Sequence, residues 1–140
     1  MISVSSNQIE KNDEAQEVLT VEQNNAATEV FESILSNFLN QLEAIDPKIT
    51  NKLRQTVRTQ VSLNLSSLVE RQRLNSWIMG YTDKLQVVIS INDMQLCIHH
   101  AYMSACDYFG PTRADVILSN AVKYSETLPA AKVFAPRNLL

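Results

Sequence analysis

The 140-residue chain has little of what most folds use for turns and most enzymes use for chemistry. It holds two glycines, four prolines, two cysteines, two histidines and one tryptophan. β-Rich folds use Gly and Pro at their many turns, so this scarcity excludes a sandwich or barrel and points to long helices joined by few loops. Two cysteines, both set among apolar residues, make no disulfide framework and imply a reduced, intracellular setting. No apolar run approaches the roughly 20 residues a membrane span needs, and "LQVVISI" is only a third of that length. Glycine-rich phosphate loops, nucleophile elbows and catalytically spaced carboxylate pairs are also missing, which argues against an enzyme and names no cofactor and no catalytic residue.

What is present is apolar and helically spaced. Residues 1–26 are polar and acidic, with apolar residues too scattered to form a face, and read as a disordered or loosely attached leader with at most a helical turn over 15–21. The leader "MISVSSNQI" resembles in composition the unstructured leaders of substrates of bacterial needle-type secretion systems. That resemblance implies export, whereas the rest of the chain implies a cytoplasmic protein. The remainder, 27–140, reads as one mainly α domain, a small bundle of four to five helices.

In the first helix Val30, Phe31, Ile34, Leu35, Phe38, Leu39, Leu42 and Ile45 recur at spacings of three and four, with Thr28 as the expected N-cap. Asp46-Pro47 ends it and starts the next, with Asp46 as N-cap and Pro47 at the first helical position. A second stripe runs through Ile49, Leu53, Val57, Val61, Leu65 and Leu68 to Trp77 and Ile78. Gly80 terminates it, and a break is expected within "SLNLSS", near 64–67. "KLQVVISIND" is ambiguous. Its β-branched residues allow a short strand over Leu85–Ile91, but no partner strand exists in the sequence, so a buried helix is favoured. Asn92 with Gln95 suggests a capping box before a helix from Asp93 to Phe109, closed by Gly110-Pro111. The last helix, capped at Thr112, carries Ala114, Ile117, Leu118, Ala121 and Leu128 on one side and stops at Pro129. The tail is apolar at Val133, Phe134, Leu139 and Leu140 and is expected to dock in a groove on this chain or on a partner.

Charge is segregated. Residues 1–46 hold nine acids against one base, a net of −8, whereas 47–82 hold six bases against one acid, a net of +5. The bases Lys48, Lys52, Arg54, Arg58, Arg71 and Arg73 form either an anion-binding surface suited to phosphates or a partner for the acidic first helix. The second reading is favoured, because the chain is acidic overall and no aromatics interleave the bases for single-strand stacking.

The stretch "LCIHHAYMSACDYFGPTRAD" gathers both cysteines and both histidines. On one helix Cys97 and His100 share a face, His99 points elsewhere, and Cys106, nine residues on, faces the opposite side. Structural zinc takes four ligands and catalytic zinc three, so no metal site is expected within one chain. Two copies sharing Cys97 and His100 would be needed to complete a shell. The function expected from these features is a non-enzymatic protein-interaction module, such as an adaptor, secretion chaperone or assembly subunit, binding a protein partner or its own copy. The alternative is a nucleic-acid-binding regulator using the Lys48–Arg73 face. The apolar surplus of the first stripe, the Leu85–Ile91 run and the tail motivates the first expectation.

Overall fold

A computed structural model describes residues 19–65 and 67–140. Five α-helices, α1 (Val21–Ile45), α2 (Pro47–Ser62), α3 (Leu68–Ile78), α4 (Ile91–Phe109) and α5 (Pro111–Ser125), are followed by two short 3₁₀ turns, Pro129–Lys132 and Pro136–Leu139. No strand occurs among the described residues. The chain is thus mainly α, as composition and periodicity predict.

α1 organises the bundle. Its stripe from Val30 to Leu42 is almost wholly buried, with α5 along one side and α2 and α4 completing the enclosure. The seam with α5 is stitched by the Ser33 and Ser125 hydroxyls, 2.7 Å apart, and by Gln41 Nε2 donating to the Ile117 carbonyl at 3.0 Å. The helix starts earlier than Thr28. Thr20 is the N-cap: its hydroxyl accepts from the Gln23 N–H, and the Gln23 side chain accepts from the Thr20 N–H, a reciprocal capping box. Thr28 lies inside the helix and returns its hydroxyl to the Asn24 carbonyl. The polar run Glu22–Asn25 conceals this start, because Ala26 and Ala27 alone carry the buried face there, beneath the 3₁₀ turn Pro129–Lys132. Of the leader expected over 1–26, residues 1–18 lie outside the described residues, and Val21 to Ala26 are helical.

Asp46 and Pro47 form the junction their types predict, with Asp46 Oδ1 accepting from the Lys48 and Ile49 N–H groups at 3.1 Å each. α2 presents Leu53, Val57 and Val61 to α1 and α4, and α3 hangs from α2 behind an N-cap on Ser67. Leu68 does not continue the α2 stripe: a new helix starts there in a new direction and leaves it outside. Gly80, with φ +83°, closes α3 in the left-handed conformation that favours glycine.

Leu85–Ile91 is neither helix nor strand as far as Ser90, and Ile91 opens α4. The connection is pinned by its ends. Leu85 and Ile89 are buried, the Leu85 N–H donates to Glu32 Oε2 of α1 at 2.8 Å, and Arg73 Nη1 donates to the Gln86 carbonyl at 2.6 Å. Side-chain acceptors and donors replace a ladder, so β-branched residues sit here without a sheet. α4 is capped by Ser90, whose hydroxyl accepts from the Asp93 N–H, rather than by Asn92. α5 starts at Pro111 behind Gly110, so Thr112 is not its cap, and it ends at Ser125, short of Leu128.

Candidate functional site

The six bases predicted to form one face do not act alike. Arg54 is turned into the bundle, its side chain 14% exposed. Its Nη1 donates to the Ile78 carbonyl at 2.8 Å and its Nη2 meets Glu43 Oε1 of α1 at 3.3 Å. It therefore ties α2 to both α1 and the end of α3. Arg73 is held by the Gln86 carbonyl, and Arg71 is half-buried with a buried Nε that lacks a hydrogen-bond partner. Lys48, Lys52 and Arg58 are exposed on α2, and no ion pair engages them among the described residues.

A polar cleft of about 450 Å³ opens between α1, α2 and the chain after α3, lined by Ser36, Asn40, Glu43, Asn51, Arg54 and Trp77. The Arg54 guanidinium at its wall is already committed to the Ile78 carbonyl and Glu43.

The tail docks on its own chain. Phe134 and Leu139 are core residues, and the turn Pro136–Leu139 packs against α1, α4 and α5. Gln95 Nε2 donates to the Asn138 carbonyl at 2.9 Å, which fixes the tail to α4. Of the four tail residues offered for a partner, only Val133 and Leu140 remain exposed. The stripe of α1 is likewise absorbed, except for Ile45 at its end, as are Leu85 and Ile89. The apolar surplus expected from these three segments mostly fills the core.

Exposed apolar residues occur elsewhere. Leu63, Leu68 and Val69 are 78%, 60% and 54% exposed and lie at the end of α2 and the start of α3. The signal for Leu63 was readable, since it follows Val61 by two residues, about 200° around the helix from the buried stripe. Leu68 and Val69 turn outward because α3 buries Leu74, Trp77 and Ile78 instead. Basic residues border the corner on both sides, Arg58 one turn before it and Arg73 one turn after.

The Cys/His helix is a core element. Cys97 is buried and free, and burial, with the Asp93 carboxylate adding to it, pushes its thiol up to about 12. It stays a neutral, inert thiol at physiological pH. His99 is exposed and stacks edge-on against His100, ring centroids 5.8 Å apart; burial, then His99, lowers the His100 pKa. No group of three or more metal-ligating side chains occurs among the described residues. On the far side Tyr102 donates a hydrogen bond to Asp115 of α5, which raises the phenol pKa and joins the two helices.

No described helix is long and apolar enough to cross a membrane. No protein-family model, curated protein or solved structure matches the chain.

Proposed function

We propose that this chain is a protein-interaction module that catalyses no reaction and makes its contact, with a protein partner or its own copy, through the corner formed by Leu63, Leu68 and Val69. The observation that carries this reading is the exposure of three large aliphatic side chains on either side of the α2–α3 connection, while the core takes up most of the α1 stripe and of the tail. Water contact with such side chains is relieved by about 25 cal/mol for each Å² covered, so a partner that covers the corner gains free energy without refolding the domain. The inert Cys97 thiol and the committed Arg54 support a binding role over a catalytic one.

Sedimentation velocity over a wide concentration range, on the wild type and on a Leu63→Ser/Leu68→Ser/Val69→Ser variant, tests this reading together with affinity capture on both proteins. Association, homotypic or heterotypic, is expected for the wild type and is lost in the variant while its helical content is unchanged. Capture and self-association that survive in the variant refute the corner as the contact.

A second reading, a nucleic-acid-binding regulator, draws on the exposure of Lys48, Lys52 and Arg58. It requires duplex binding at low salt that Lys48→Glu/Lys52→Glu abolishes and Leu63→Ser leaves alone.

A further inference from the structure

The corner has a counterpart on the same molecule. A groove of about 490 Å³ runs between the first two turns of α1 and the 3₁₀ turn Pro129–Lys132. Ala26 and Ala130 floor it, Val21 and Val133 stand exposed at its sides, and the exposed carboxylates Glu22 and Glu29 border it. The corner sets exposed aliphatic side chains beside Arg58 and Arg73 against one half-buried acid, Glu70, and the groove is an apolar recess with Glu22 and Glu29 at its edge against one base, Lys132 of its 3₁₀ turn. Among the described residues neither is covered: Leu63 and Val21 are both more than three-quarters exposed.

We infer that two copies of this chain associate head to tail, the Leu63–Val69 corner of one copy seating in the Val21–Val133 groove of the next. This deepens the self-associating form of the function proposed above and rests on it. Charge complementarity selects this occupant. Two corners facing each other would bring Arg58 and Arg73 together with their mates, and two grooves would oppose Glu22 and Glu29, so both symmetric pairings set like charges face to face. Corner against groove pairs opposite signs at the rim and apolar residues at the centre, the arrangement of a protein interface. Such a contact is heterologous. One copy engaged by its corner still presents its groove, so association continues past the dimer into a ring or an open chain.

The distinguishing experiment mixes two full-length variants. Arg58→Glu/Arg73→Glu reverses the basic rim and leaves the groove intact; Glu22→Lys/Glu29→Lys reverses the acidic rim and leaves the corner intact. All four positions are on the exposed side of their helices, and circular dichroism confirms that each variant folds. Sedimentation velocity should show wild-type species beyond the dimer that grow with concentration and shrink as salt rises above about 0.15 M, where charges are screened within about 8 Å. Each variant alone should be monomeric, its association weakened by at least about tenfold, and the equimolar mixture should associate again, because the intact corner meets the intact groove and the two reversed rims are also of opposite sign. A second pair, Leu63→Ser/Val69→Ser mixed with Val21→Ser/Val133→Ser, leaves one intact corner and one intact groove, so this mixture should form a dimer and stop there. A mixture that stays monomeric while the wild type associates overturns the head-to-tail contact. Association lost in the corner variants but kept in the groove variants also overturns it, yet leaves the corner as an interaction surface. A wild type that is monomeric throughout overturns self-association itself, and affinity capture of another protein through the corner would then uphold the broader function alone.

Discussion

Replacing Leu139 by Ala tests whether the last turn is part of the core or a mobile anchor for something else. Leu139 is fully buried against α1, α4 and α5, whereas its neighbour Leu140 is 58% exposed. Removing a buried leucine's three outer carbons costs about 2–5 kcal/mol, the transfer of the lost groups plus the void they leave. A domain of this size has about 5–15 kcal/mol in total, so the change takes a large share of it. At about 3 °C per kcal/mol the melting temperature falls by roughly 6–15 °C. Leu140→Ala is the matched control, expected within about 0.5 kcal/mol of the wild type. Urea unfolding followed by the fluorescence of Trp77, the chain's single tryptophan, reads both variants on one probe. Trp77 sits against Phe31 with ring centroids 5.4 Å apart, in the core and away from the tail, so its signal reports global unfolding. If Leu139→Ala matched Leu140→Ala, the tail would contribute nothing to the fold and the assignment of Leu139 to the core would be wrong.

Two further outcomes follow from named contacts. Arg54→Met keeps the side chain's length but loses the bond to the Ile78 carbonyl, and should cost about 1–3 kcal/mol, chiefly for the stranded carbonyl. Glu43→Gln, which removes only the half-exposed partner, should cost at most about 1 kcal/mol, and equal losses in urea melts would refute that division. Cys97 supplies a pH test: its thiol titrates at 9.0 when unfolded and near 12 when folded, so the folded state holds the proton more tightly. Its contribution is complete below pH 9 and is lost as pH rises from there towards 12. Cys97→Ala should therefore show a shallower alkaline loss of stability than the wild type, and identical alkaline profiles would contradict the burial of this thiol.

How much of this was legible in the sequence depended on whether a contact was local. The α1 stripe, the Asp46-Pro47 junction, the break before α3 and the Gly80 and Gly110 stops are set by residues within a turn of one another, and spacing reveals them. The start of α1 was hidden because Ala26 and Ala27 are too small to register as a face, although the Thr20–Gln23 capping box was there to be read. The buried helix favoured over Leu85–Ile91 does not form before Ile91, because the conformation of this connection depends on Glu32 and Arg73, 53 and 13 residues from the groups they hold. The surplus apolar segments pointed to an interface for the wrong reason. Phe134 and Leu139 were free only while the groove that receives them was unknown. The exposed corner was invisible as a site, since Leu68 extends the α2 periodicity on paper and departs from it once the chain turns.

Charge segregation is the feature that the fold accounts for least. If the basic segment existed to pair with the acidic first helix, its six bases should meet α1 carboxylates, yet among the described residues only Arg54 does, through Glu43. Glu32, the acid of α1 best placed to pair inward, accepts from the Leu85 N–H instead. Glu22 and Glu29 face solvent, as do Lys48, Lys52 and Arg58. Unpaired exposed charges of one sign repel along their own helix, a small cost that folding leaves uncompensated. An opposite surface on another molecule would remove that cost, and the two rims bracket the apolar residues that the core also leaves outside. Like charges and exposed aliphatic side chains coincide at two separate places on the chain, and the proposed second copy, corner to groove, would relieve both at once.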